Sequence, residues 1–190
     1  FGADALADIL SGEVNPSGRL PYTYPKFEQG LITYDHKPSQ NIEGVMAGAY
    51  DYGAQTSVQY PFGYGLSYTT FAYSNLNVDK TAFTSADMIT VSVDVTNSGS
   101  MEGKEAVLLF SSDKVASLSP DVRRLRGFEK ISLDPGETQT VTFTLSGSDL
   151  AFVNEVGKWT MEEGDFMLQV GDQTTDIQCL ETKIWETPNK

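Results

Sequence analysis

Cysteine is almost missing from this chain: Cys179 stands alone among 190 residues. That excludes an internal disulfide and any metal site built from several thiolates. Histidine is as scarce, with His36 the single example. No second His or Cys is spaced to share a metal with it. Positive charge is also short. Thirteen Lys and Arg face 26 Asp and Glu, a net charge of −13 that runs through both halves. Nucleic acid and anionic membrane are therefore poor electrostatic partners. No apolar run approaches bilayer-spanning length. The opening Phe1-Gly2-Ala3 carries neither an initiator Met nor a signal segment, which reads as a piece of a longer polypeptide.

What is present falls into two parts. Gly2 to Leu10 sets Ala5, Leu6, Ile9 and Leu10 at helical spacing, with Asp4 in the first turn and Gly12 placed to end the helix. Asn15-Pro16-Ser17-Gly18 is a turn, and its proline removes it as a glycosylation acceptor. Arg19 to Pro25 is extended. Residues 26–60 lack periodicity apart from the apolar Gly44–Tyr50, and a stretch that long is expected to wrap over a larger body.

Between the parts lies Tyr60-Pro61-Phe62-Gly63-Tyr64-Gly65-Leu66-Ser67-Tyr68-Thr69-Thr70-Phe71. Its proline and glycines fold the backbone tightly between Tyr60, Phe62, Tyr64, Tyr68 and Phe71. A flexible linker lacks such rings. Two readings apply: a packed domain junction, which is favoured, or a sugar-stacking platform.

From Phe71 onward the period becomes two. Ile89, Val91, Val93 and Val95 alternate with polar residues up to a turn at Asn97-Ser98-Gly99. Tyr73–Val78 reads as the first strand and Ala106–Phe110 as a central one. Arg123–Leu133 is extended, with a bulge at Gly127. Asp134-Pro135-Gly136-Glu137 fits a type II turn. Val141, Phe143 and Leu145, then Phe166, Leu168 and Val170, then Ile177 to Trp185 complete about seven strands. The fold class is mainly β, an antiparallel sandwich of immunoglobulin type, and the absence of a cysteine pair favours the fibronectin type III-like version. The division is 1–70 and 71–187.

Few residues invite chemistry. Among 26 acids, any chosen pair is best read as solvated surface. No serine sits in a nucleophile elbow. His36, in Tyr34-Asp35-His36-Lys37-Pro38, sits on a polar loop of the kind that contacts substrate, though an ordinary surface role is the commoner one. Cys179 reads as a buried, inert thiol. Arg123, Arg124 and Arg126 form the one basic cluster, suited to pairing with local acids or to gripping an acidic partner.

Several of these segments together resemble glycoside hydrolase family 3, the family of β-glucosidases and β-xylosidases. Ala5 to Pro21, with its Asn15-Pro16-Ser17-Gly18-Arg19-Leu20-Pro21, resembles the close of the family's α/β sandwich domain. Ile42-Glu43-Gly44-Val45 is similar to its Y-x-EG-I segment. Ala47-Gly48-Ala49-Tyr50-Asp51-Tyr52 lacks the arginine that normally follows. The twelve-residue aromatic stretch comes next. Val95 to Gly99, Gly103 to Val107, Leu125 to Lys130 and Pro135 to Thr138 resemble the fibronectin type III-like domain.

The resemblance implies the C-terminal portion of a retaining, exo-acting β-glycosidase. In the family the nucleophile is an aspartate of an N-terminal barrel domain, and the acid/base glutamate lies earlier in the α/β domain, so catalytic residues, metal ligands and cofactors are all expected to be none here. The upstream catalytic domains are the implied partner, a carbohydrate is the parent's substrate, and the sandwich would serve docking, substrate access or homo-oligomer contacts. Tyr34, His36 and Lys37 resemble a Tyr-Asn-His-Lys loop that borders the active-site mouth. A periplasmic or secreted setting follows from the family alone. The rival reading is a free-standing sandwich that binds carbohydrate or protein.

Limited proteolysis should cut within residues 22–60 before it cuts the sandwich, because the former carry few periodic apolar contacts. Equal resistance in both, read by mass spectrometry of early fragments, would contradict the division.

Overall fold

The computed structural model describes residues 2–28, 30, 32–40 and 57–186. Helix α1 spans Gly2–Ser11. Gly12 follows it at φ +84°, a left-handed conformation that closes helices at little cost only in glycine, and its N–H reaches the Ile9 carbonyl. The strands follow in order: β1 Tyr24–Pro25, β2 Val58–Tyr60, β3 Phe71–Val78, β4 Ala82–Phe83, β5 Met88–Asn97, β6 Gly103–Asp113 and β7 Arg124–Leu133. Then come β8 Thr138–Ser146, β9 Phe152–Val153, β10 Trp159–Met161, β11 Gly164–Val170, β12 Gln173–Cys179 and β13 Lys183–Trp185.

Two sheets face each other. One is ordered β4-β12-β11-β6-β7 and the other β3-β5-β8. Alternation in β5 and β8 turns Ile89, Val91, Val93, Val95, Val141, Phe143 and Leu145 inward. They meet Val107, Leu109, Ile131, Leu133, Phe166, Leu168 and Val170 of the opposite sheet in one continuous core. Eight strands make up the two sheets among the described residues, seven of them of seven residues or more together with the two-residue β4. Pairing is antiparallel except where β4 lies parallel to β12. A small sheet, β13-β10-β9, closes one end. Cys179 is fully buried in that core, and burial raises its thiol above the ordinary value.

Three details differ from expectation. The tail expected as one strand from Ile177 to Trp185 is split, with β12 ending at Cys179 in the large sheet and β13 pairing with β10 in the small one. Of the extended Arg19–Pro25 stretch, only Tyr24–Pro25 enters a sheet, paired with β2. In β7 the bulge falls one residue early. Leu109 opposes Gly127 while Phe110 opposes Leu125, so Arg126 is the extra residue. Gly44–Tyr50, Ile42–Val45 and Ala47–Tyr52 lie outside the described residues.

The turn after β5 is organised by a buried side chain. Asn97 donates to the carbonyls of Met101 (2.8 Å) and Leu133 (3.0 Å) and accepts from Thr69 Oγ1 (2.5 Å) and the Gly99 N–H (3.1 Å). All four of its hydrogen-bonding positions are used. Asn97→Ala should cost about 2–4 kcal/mol, because it leaves buried carbonyls unpaired. Asn97→Asp should cost at least as much at neutral pH, since its carboxylate would face those carbonyls. Urea denaturation of both variants checks this.

Candidate functional site: the seam between the N-terminal segment and the sandwich

The chain before β3 lies along the sandwich, and the aromatic stretch forms the seam. Its backbone interlocks with the Asn15–Leu20 turn. Leu20 N–H reaches the Tyr64 carbonyl and Gly63 N–H reaches the Leu20 carbonyl, each at 2.8 Å. A Cβ at Gly65 would lie 2.2 Å from the Gly18 carbonyl oxygen, so this approach requires glycine.

The five rings separate by direction. Tyr60 stacks on Tyr64 at 4.7 Å and also meets Tyr24, which neighbours Tyr22, and all four tyrosines are exposed. Phe62 turns the other way, stacking on Tyr34 at 4.4 Å, and both meet Phe110 of β6 edge-on. Tyr68 donates its hydroxyl to the Ile9 carbonyl at the end of α1. Phe71 opens β3 and packs against the core.

Polar groups fasten the seam. Asn15 donates to the Glu102 carbonyl (2.9 Å) and accepts from Tyr68 N–H (2.8 Å) and the Ser67 hydroxyl (3.0 Å). Arg19 pairs with Glu105 of β6, whose other oxygen accepts the Tyr73 hydroxyl at 3.0 Å. The pair is largely shielded, with side chains 15% and 12% exposed. Burial first, and then the Glu105 carboxylate, push the Tyr73 phenol well above its ordinary value. Sequence reading did not single out Asn15, Glu105 or Tyr73 as a set. The available signal was a carboxylate, Glu105, at the head of the apolar Ala106–Phe110 run.

Tyr34, His36 and Lys37 come together against the connection between β6 and β7. Leu125 N–H points to the Tyr34 hydroxyl at 3.4 Å. The His36 carbonyl accepts from Val122 N–H (2.9 Å), and its Nδ1 lies 2.8 Å from the Thr33 carbonyl oxygen. Lys37 pairs with Asp121 at 2.7 Å, and Asp121 also holds Arg124 at 3.1 Å. Lys37 thereby reaches the rim of a cavity of about 410 Å³, lined also by Asp113, Asp121, Arg126, Phe152 and Trp159. Burial raises the Asp113 carboxyl to about 6. Among the described residues no three His, Cys, Asp or Glu side chains are placed to hold a metal ion.

Residues 2–68 match the glycosyl hydrolase family 3 C-terminal domain, and residues 105–174 match the fibronectin type III-like domain. The chain belongs to glycoside hydrolase family 3. Over 186 residues this family 3 chain is 41% identical to thermostable β-glucosidase B of Acetivibrio thermocellus, covering 94% of itself and 24% of that protein. A β-xylosidase of Formosa agariphila is 39% identical over 169 residues, with 88% and 23% covered. In three dimensions the chain matches a β-glucosidase from Erythrobacter marinus with a TM-score of 0.84 at 34% identity, covering 94% of this chain and 24% of that one. The family 3 chain thus spans about a quarter of the length of these relatives and corresponds to their C-terminal part.

Glu105→Gln should lower stability by about 2–3 kcal/mol, because Arg19 then remains shielded without a counter-charge. Arg19→Met combined with Glu105→Leu should recover much of that loss. A double-mutant cycle in urea measures the coupling.

Proposed function

We propose that this chain is the C-terminal portion of a retaining, exo-acting β-glycosidase of family 3, that it performs no bond cleavage itself, and that it docks on upstream catalytic domains. The supporting observation is an apolar face without a partner among the described residues. Helix α1 buries no residue, and its Leu6 and Leu10 are 58% and 73% exposed. Val14, Tyr22, Tyr24, Phe27 and Leu66 are exposed on the same N-terminal part. Exposed apolar side chains gathered in one part of a chain fit a surface that the upstream domains would cover. The boundary we assign is 1–70 for the α/β-domain tail and 71–187 for the sandwich. Tyr60, Phe62, Tyr64, Tyr68 and Phe71 are the junction between them.

Tyr34, His36 and Lys37 are proposed as the loop nearest the parent's sugar. Their contacts to Leu125, Val122 and Asp121 make the sandwich the support that would hold such a loop in place. In that role the second domain shapes substrate access without touching the reacting bond. A periplasmic or secreted setting goes with the same family reading. Phe128 is the only exposed aromatic of the sandwich among the described residues, which gives a free-standing sugar-binding face little support.

Retaining hydrolysis needs an ionised carboxylate about 5 Å from a protonated one. The cavity near Lys37 does contain two acids of unlike character, Asp113 and Asp121. Asp121, however, is tied to both Lys37 and Arg124, and such pairing withdraws its charge from attack. The chain alone should show no turnover of aryl β-glucosides or β-xylosides. Measurable hydrolysis abolished by Asp113→Asn or Asp121→Asn would overturn the proposal.

A further inference from the structure

The basic cluster Arg123-Arg124-Arg126 divides into three environments. Arg123 lies over the Phe110 ring, 4.5 Å from its centroid. Arg124 pairs with Asp121. Arg126 has no acidic partner within ion-pair distance among the described residues. Its Nε donates to Ser111 Oγ at 2.7 Å, and no described hydrogen bond uses its terminal nitrogens. Burial first, then the neighbouring Arg124 charge, pull its pKa down to about 10.

The bulge explains how a guanidinium comes to be there. In β7 the partners of inward-facing Val107 and Leu109 are Glu129 and Gly127. Unbroken alternation would send positions 126 and 124 to the outer face with Phe128. Arg126 is the inserted residue, so the parity reverses, and Arg126 and Arg124 both line the cavity. A desolvated guanidinium is costly to keep without a counter-charge.

The cavity's shape and lining narrow what could supply that charge. Its volume of about 410 Å³ is at the small end for ligand sites. Its lining is part apolar, with Leu150, Phe152 and Trp159, and part polar, with Ser111, Asp113 and Arg126 among others. Asp121 is paired with two cations, and among the described residues Asp113 accepts only the Val115 N–H at 3.2 Å. Asp113, Asp121 and Asp149 act on Arg126 only beyond ion-pair distance, and no hydrogen bond among the described residues uses its terminal nitrogens, whose planar fork matches a carboxylate in bidentate geometry. Trp159 lines the same cavity, and an indole suits the apolar face of a pyranose.

We propose that this cavity binds a carboxylated monosaccharide of the hexuronate class, its carboxylate on the terminal nitrogens of Arg126, its ring against Trp159 and a hydroxyl on Asp113. The site stands independently of whether the parent is a glycosidase.

The test titrates the full chain with glucuronate, glucose and inorganic phosphate, following tryptophan fluorescence and thermal midpoint. Glucuronate should bind saturably, at least about tenfold tighter than either glucose or phosphate. Arg126→Gln should weaken it by a similar factor, while Arg123→Gln, outside the cavity lining, should leave it unchanged. Failure of glucuronate to bind, equal binding of glucose, or equal binding of phosphate each overturns the proposal. So does a folded R126Q variant with unaltered affinity. The ligand comparison needs only the unmutated chain, so it decides the matter even if R126Q does not fold.

Discussion

The Glu105 carboxylate, held between the Arg19 guanidinium and the Tyr73 hydroxyl, is the interaction on which the rest of the arrangement depends. It joins the turn after α1 to the first and third long strands of the sandwich. Each partner is taken from water, so each needs the other two. The aromatic stacking around Phe62 and the Asn15 bonds lie on either side of this point. Without it, the seam would rest on the Leu20 backbone bonds, the Asn15 hydrogen bonds and the ring stacking alone. With it, the shielded charges of Arg19 and Glu105 compensate each other across the seam.

Much of the fold could be read from pattern, because burial on one face forces alternation. Val91, Val93 and Val95 are nearly fully buried, as their spacing requires. The turn at Asp134–Glu137 carries the expected hydrogen bond, Glu137 N–H to the Asp134 carbonyl. What eluded sequence reading were events in which one residue breaks a period. Arg126 is the clearest: its sequence neighbours fit a regular strand, and only the pairing of Phe110 with Leu125 reveals the inserted residue. The two-residue β4, joined in parallel to β12, is too short to have a period.

The seam was legible in kind and not in detail. Five rings around a proline and two glycines announce close packing. They do not say that Phe62 faces the sandwich while Tyr60 and Tyr64 face away. That split is what allows one short stretch to serve two neighbours at once. Tyr34 and Lys37 followed a similar course: residue type placed them on a polar loop, and only the structure shows them anchored on Leu125 and Asp121. Long-range polar contacts leave no local trace, since either partner alone resembles any surface residue.

The reciprocal bonds of Leu20 with Gly63 and Tyr64 act as a staple across a wide sequence gap. The polypeptide departs and returns at one fixed place, so a change in the length of the excursion that keeps the contacts of Tyr34, Lys37 and Phe62 leaves both anchors undisturbed. The entropic penalty of closing a longer excursion grows only logarithmically with its length. Diversity within a lineage, or grafting in the laboratory, therefore has a natural insertion point here, framed by Gly65, whose approach to the Gly18 carbonyl leaves no room for a side chain.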